Sequence, residues 1–202
     1  GIVSGIGSYA GIDVIKKIYD LTQVTCDQDH LPISMLSVPH KVVDRTQFLL
    51  GKIKTNPGHA IQEIITTLAS NGAQIIGIPC NTAHADPIFK VIKKQIPKSC
   101  RLIHLIEEVG TFISQQLPHI KKVGILSTTG TLVSKVYPTI LQRYDLRVIE
   151  PSEELQNKVI HPAIFNKQYG LKACSNPINQ IAKTNLITAA TYLSEKGADA
   201  II

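Results

Sequence analysis

The residues best suited to chemistry sit just after short apolar runs. The clearest group is Ile78-Pro79-Cys80-Asn81-Thr82-Ala83-His84-Ala85. Pro79 ends a strand-like run, and Asn81 or Thr82 has the side chain of a helix cap. Cys80 is therefore expected at a strand-to-helix turn, where a helix N-terminus favours a thiolate. A thiolate can take a proton from carbon or attack an electrophile. Cys26, Cys100 and Cys174 lack such surroundings and read as small buried cysteines. No two of the four form a C-x-x-C pair, and their density is far below that of a disulfide scaffold.

Two other turns carry polar groups. Ser4-Gly5-Ile6-Gly7-Ser8 follows the first apolar run and suits a tight turn whose backbone N–H groups face a small carboxylate. Gly5, Gly7 and Gly11 loosely resemble a dinucleotide fingerprint. The next strand, however, ends at Ser37-Val38-Pro39-His40 without the acidic residue that holds a ribose. Asp44-Arg45-Thr46 offers a guanidinium able to grip a carboxylate bidentately, or a surface ion pair with Asp44. His84 lies four residues after Cys80, but the other histidines show no ligand spacing, so no metal is expected.

These turns need a scaffold. Ile-, Val- and Leu-rich runs at Gly1–Ser4, Pro32–Ser37, Gln74–Ile78, Arg101–Leu105, Lys122–Leu126, Leu146–Ile149 and Ala198–Ile202 lack polar alternation, as in strands buried on both faces. Amphipathic stretches lie between them at Ala10–Thr22, Pro57–Ser70, Thr82–Gln95, Glu107–Leu117, Thr131–Leu141, Glu153–Ile164 and Pro177–Glu195. Asn56-Pro57 and Asn176-Pro177 read as caps followed by proline at the first helical position, with Gly72 and Gly197 as stops. The alternation predicts an α/β protein with parallel sheets.

The chain also repeats itself. Gly1–Gly7 parallels Gly124–Gly130 as strand, small-residue turn and helix start. The Asn-Pro helices match at an offset of 120, and Gly72-Ala73 matches Gly197-Ala198 at an offset of 125. Three matches in order predict two similar lobes, each a parallel sheet flanked by helices, related by a pseudo-two-fold. The lobes are expected at 1–98 and 99–202, with Gly7 equivalent to Gly130. In open α/β sheets ligands bind beyond the strands' carboxyl ends, which places the active site in the inter-lobe cleft.

Composition narrows the partners. Across 202 residues, 44% hydrophobic content supports a real core, and no apolar run reaches the length of a membrane span. The net charge of +6 comes with 5% aromatics and scattered basic pairs. That pattern reads as solvated surface and as steering for a small anion, and it excludes a nucleic-acid face. The start carries no signal-peptide pattern, so a cytoplasmic location is expected. Gly1 opens inside a strand-like run, and Ile201-Ile202 end inside another, so the sequence reads as part of a longer chain.

Pro79-Cys80-Asn81-Thr82-Ala83-His84 resembles the first catalytic-cysteine motif of the aspartate/glutamate racemase family, whose members work without pyridoxal phosphate. Asp44-Arg45-Thr46 resembles its substrate-arginine segment. Tyr169-Gly170-Leu171-Lys172-Ala173 resembles its substrate-lysine segment, and Ser127-Thr128-Thr129-Gly130-Thr131 its second-lobe turn. The usual Gly-Gly-Met-Gly-Pro opening is Ser4-Gly5-Ile6-Gly7-Ser8 here. The family's second cysteine, in a Gly-Cys-Thr-Glu motif, is not in this sequence; the repeat places its position just past Ile202. The resemblance implies a cofactor-independent racemase of acidic amino acids, aspartate first and glutamate second, acting as a homodimer. It gives Cys80 the acid/base role. Gly7, Ser8, Asn81, Thr82, Thr128 and Thr131 would hold the α-carboxylate and amino group. Arg45 and Lys172 would take the side-chain carboxylate. The competing expectations are a two-lobed protein that binds a small carboxylate without chemistry and, on the three glycines alone, a nicotinamide-dependent enzyme.

Overall fold

A computed structural model describes all 202 residues. Seven short strands alternate with helices, and every strand pairing is parallel. The chain divides into two compact units, Gly1–Leu105 and Ile106–Ile202. The first unit therefore extends past the boundary expected at 98. The reason is pairing: β4 (Arg101–Leu102) lies beside β3 (Ile75–Ile76), so its backbone groups are satisfied within the first sheet.

In the first unit β1 (Ile2–Ser4) pairs with β2 (Met35–Ser37), and Ile2 bridges Gly77 beside β3. The resulting order is β2-β1-β3-β4. Helix α1 (Ser8–Leu21) follows β1, the short α2 (Arg45–Leu49) follows β2, and α3 (Gly58–Ser70) leads into β3. The start of α3 is set by Asn56, whose Oδ1 accepts from Gly58 N at 2.8 Å. Ile61, Ile64, Ile65 and Leu68 form its buried stripe, at the spacing of one helical face. They meet Val3, Ile76, Ile78, Ile88 and Ile92 in one core. Each such side chain withdrawn from water contributes about 1.5–3 kcal/mol. β2 sits at the sheet edge with Met35 and Ser37 exposed, so it is not buried on both faces as expected.

In the second unit α5 (Leu105–Gln116) leads from the boundary into β5 (Lys122–Gly124), which is flanked by β6 (Arg147–Ile149) and β7 (Ala200–Ile201) in the order β6-β5-β7. That order reproduces β2-β1-β3 of the first unit, as the repeat implies. A separate core gathers Ile106, Val123, Ile125, Tyr137 and Leu141. The helix expected over Thr131–Leu141 is broken into α6 (Thr129–Val133) and α7 (Val136–Leu141), because Lys135 between them takes a left-handed φ of 54°. The stretch Glu153–Phe165 is continuous but wound in three ways: α8 (Glu153–Leu155), a π turn (Gln156–Ile160) and α9 (His161–Phe165).

The last helix, α10 (Gln180–Glu195), starts later than expected. Asn179, not Asn176, is its cap, with Oδ1 accepting from Ile181 N at 2.9 Å. Pro177 lies in a turn where Ser175 and Ile178 bridge antiparallel, so the Asn-Pro match between the halves does not survive folding. The match at the other end does. Ala73 N donates to Leu68 O and Ala198 N to Leu193 O, both at 3.1 Å, closing α3 and α10 in the same way. No helix is long and apolar enough to cross a membrane.

Candidate active site

In the first unit the turns after β1, β2 and β3 carry six of the expected residues: Gly7, Ser8, Arg45, Cys80, Asn81 and Thr82. Gly7, at φ 132°, is the cap residue before α1. Residues with a Cβ rarely adopt that conformation, so the turn requires glycine. A Cβ there would lie 3.9 Å from Pro79 O, which places the turn beside the cysteine segment. Ser8 opens α1 and is exposed.

Arg45 starts α2, whose cap is Asp44; its Oδ1 accepts from Gln47 N at 2.8 Å. The half-buried Arg45 guanidinium donates to Ile6 O at 3.4 Å and Val43 O at 3.3 Å. Both bonds are long, and its buried Nε has no protein acceptor. Arg45 thus reaches the Ser4–Ser8 turn while keeping donors for a carboxylate.

Cys80 is half-buried at the end of the third strand's turn and packs against the core. Its backbone is tightly held. Cys80 N donates to Ile78 O at 2.7 Å, and Cys80 O accepts from Ala83 N at 3.1 Å. The same carbonyl lies 2.9 Å from His84 Nδ1. A carbonyl can only accept, so Nδ1 carries the proton. His84 is 1% exposed and packs against Phe89 and His104, with ring centroids at 5.2 and 4.6 Å. Asn81 is half-buried and Thr82 buried.

The local helix differs from the expected Thr82–Gln95. Asn81–His84 forms a 3₁₀ turn, Ala85 is extended, and α4 (Asp86–Lys93) then begins. Pro87 has no N–H to bond to the preceding turn and its ring crowds that turn, so the helix must restart. Neither Asn81 nor Thr82 caps an α-helix. Cys80 precedes a four-residue 3₁₀ turn, so the expected helix-dipole argument for its thiolate loses its basis. Cys26 is exposed, contrary to the buried reading, because it lies in a polar turn ahead of Asp27–Asp29. Cys100 and Cys174 are half-buried, with Sγ donating to Ala73 O and Gln168 O.

In the second unit the turn after β5 is closed by its own side chains. Thr128 caps α6, its Oγ1 accepting from Thr131 N at 3.3 Å and lying 3.1 Å from Thr131 Oγ1. Thr131 is buried at 2% exposure. Gly130 lies inside α6, so the cap equivalent to Gly7 is Thr128, not Gly130. A side-chain cap replaces the glycine conformation of the first unit.

Lys172 is exposed in the loop after α9. That loop folds back on its helix: Leu171 N donates to Ala163 O at 2.8 Å and Lys172 N to Ile164 O at 3.1 Å. Gly170 allows this, since a Cβ there would come within 2.6 Å of Asn166 N. The lysine ammonium consequently lies over the Phe165 ring, 4.0 Å from its centroid.

Sequence reasoning missed three residues beside the second turn. Gln156, 2% exposed, donates from Nε2 to Ser127 O and Thr129 Oγ1. His161 Nδ1 lies 2.9 Å from Thr129 Oγ1, and Phe165 stacks on His161. No spacing in the sequence announces them, because the π turn shifts the helical register that would align them.

The sequence model of the Asp/Glu/hydantoin racemases matches residues 3–202. The chain belongs to the Asp/Glu/hydantoin racemase family. It is 27% identical over 154 residues to the broad specificity amino-acid racemase RacX of Bacillus subtilis, a match covering 74% of this chain and 63% of that protein. The chain thus spans less than two thirds of that relative's length. Among solved structures it is similar to Picrophilus torridus aspartate racemase, with a TM-score of 0.77, 25% identity, and coverage of 100% of this chain and 78% of that one. It also shares its fold with an aspartate racemase homologue from Pyrococcus horikoshii OT3, with a TM-score of 0.67, 16% identity, and coverage of 100% and 82%. In this member of the family, the four segments that resemble the family's lie in the turns after β2, β3 and β5 and in the loop after α9, and the divergent Ser4–Ser8 opening forms the turn after β1.

Proposed function

We propose that the protein is a cofactor-independent amino-acid racemase with acidic substrates, aspartate first and glutamate second. The observation that carries this reading is the meeting of the Gly7 turn, Arg45 and the Cys80 segment in one part of the first unit. It joins a proton-transfer thiol to a guanidinium and a backbone turn suited to carboxylates.

Racemisation requires removal of the α-proton from one face and its return to the other. Cys80, as thiolate, takes the proton and becomes a thiol. A second cysteine, as thiol, delivers a proton to the opposite face and becomes a thiolate. The carbanion between these steps needs donors fixed before it forms, since reorganising them then would cost part of their benefit. The tightly bonded Pro79–His84 backbone and the Gly7 turn suit that role. Asn81 and Thr82 add polar groups at the same place. In the first unit Arg45 takes the side-chain carboxylate and Ser8 adds to the polar lining; the family resemblance gives Lys172 of the second unit a substrate-carboxylate role and Thr128 and Thr131 a polar one.

The deciding experiment follows solvent deuterium incorporation and optical rotation side by side. Each enantiomer of aspartate, glutamate and alanine is given to the full-length protein in heavy water without added cofactor. Exchange with inversion is expected for the acidic amino acids. Cys80→Ser should lower it at least about 1000-fold with circular dichroism unchanged, because a hydroxyl is far too weak an acid to supply the anion. Aspartate binding without any exchange would instead make this a carboxylate-binding protein.

A further inference from the structure

A run of side-chain contacts in the second unit joins Lys172 to the Ser127–Thr131 turn. Lys172 Nζ lies 4.0 Å from the centroid of the Phe165 ring. That ring stacks on the His161 imidazole, with centroids 4.6 Å apart and planes inclined by 17°. His161 Nδ1 is 2.9 Å from Thr129 Oγ1. The same hydroxyl accepts from Gln156 Nε2 at 3.2 Å, and that nitrogen also donates to Ser127 O at 3.1 Å. Because Ser127 O only accepts, the orientation of the Gln156 amide is fixed. Gln156 is also buried, so the inner end of the run cannot swing.

A lysine on a four-carbon stem is a mobile charge that loses rotamer freedom when it is held in one place. An aromatic face attracts the cation and gives back part of that loss before any substrate arrives. The ring itself must be held for this to give direction. Here the His161 stack and the Thr129–Gln156 bonds hold it against the backbone of the turn. A substrate with a second carboxylate gains from an ammonium already in position, and a neutral one does not.

We propose that Phe165 is a specificity-determining positioning residue: it holds the Lys172 ammonium for the side-chain carboxylate, with His161 and Gln156 anchoring the ring to the turn after β5. The inference rests on the reading of Lys172 as a substrate contact.

The test uses Phe165→Leu, Phe165→Trp and Lys172→Ala in the full-length protein. Phe165→Leu keeps the apolar bulk and removes the π face. It should raise KM for aspartate about five- to tenfold, with kcat within about twofold, since only the binding of the charged end is altered. The inhibition constant of L-asparagine, which has the same shape without the charge, should stay constant. Phe165→Trp should restore the aspartate KM. An upfield ring-current shift of the Lys172 ε-methylene protons should vanish in Phe165→Leu and return in Phe165→Trp. Equal losses for aspartate and asparagine, or no recovery in Phe165→Trp, would show that the ring serves packing alone and overturn the proposal. The failure of the underlying reading looks different: Lys172→Ala would leave the aspartate KM unchanged, removing the clamp and this inference together. A raised KM in Lys172→Ala with none in Phe165→Leu overturns this inference alone.

Discussion

Arg45, the residue proposed for the side-chain carboxylate, is positioned by a contact distant in sequence as well as by its own segment. Its neighbour Asp44 is engaged as the cap of α2, and the guanidinium reaches a turn 39 residues away in sequence. Its two backbone bonds are long, so a bound carboxylate can outcompete them. Arg45→Ala should therefore raise the KM for aspartate about 10- to 100-fold while changing that for alanine little, as steady-state kinetics on both substrates would show. Arg45→Lys should recover only part of the loss, because a point charge cannot replace a planar fork. Equal losses for both amino acids would remove Arg45 from side-chain recognition. His84 acts at the same scale in another way: its Nδ1 donates to the Cys80 carbonyl and so holds the backbone at the thiol-bearing residue.

Among the elements, β7 is tied in by a charge as well as by its ladder. The Asp199 carboxylate accepts from Lys121 N at 2.9 Å and Lys122 N at 2.8 Å, just ahead of the β5–β7 pairing. These two N–H groups hold its pKa below the usual carboxylate range, and the Lys122 charge adds a smaller effect. A lowered folded-state pKa means that the folded chain favours the ionised form. The stabilisation is complete above the unfolded-state value of about 4 and is lost as pH falls through the folded-state value. Thermal unfolding followed from pH 7 to pH 2 should show Asp199→Asn melting below the wild type at neutral pH. The two curves should converge in acid. A constant gap across that range would mean that the charge is not what holds β7.

For the whole molecule, the two units have separate cores and sheets of matching strand order. We also propose a homodimer, as the family resemblance implies. The outer side of α1 supports it: Gly11 is its only buried residue, and Tyr9, Ile12 and Tyr19 are 50%, 53% and 42% exposed. Light scattering on the eluting protein should give twice the protomer mass, and Ile12→Lys should reduce it to one. A single protomer mass for the wild type at micromolar concentration would exclude the dimer.

The sequence alone determined the α/β alternation, the parallel pairing and the repeat, because buried parallel strands need continuous apolar runs and such runs are visible locally. It also placed Arg45, Gly7 and Thr128 at strand-to-helix junctions, where turn and cap residues have strong local preferences, and put Cys80 in the turn past the third strand. Tertiary structure decided what depends on partners distant in the chain. β4 joined the first unit because its hydrogen-bond partners lie there. Asn179 replaced Asn176 as the cap of α10, though both look alike in sequence. Pro87 split the helix after Cys80, and Lys135 split the helix after Thr128. The contacts of Gln156, His161 and Phe165 with the turn and with Lys172 arise only once a π turn and a folded-back loop bring them together. Local preference fixes which element forms; which side chains then meet depends on the packing of elements far apart in sequence.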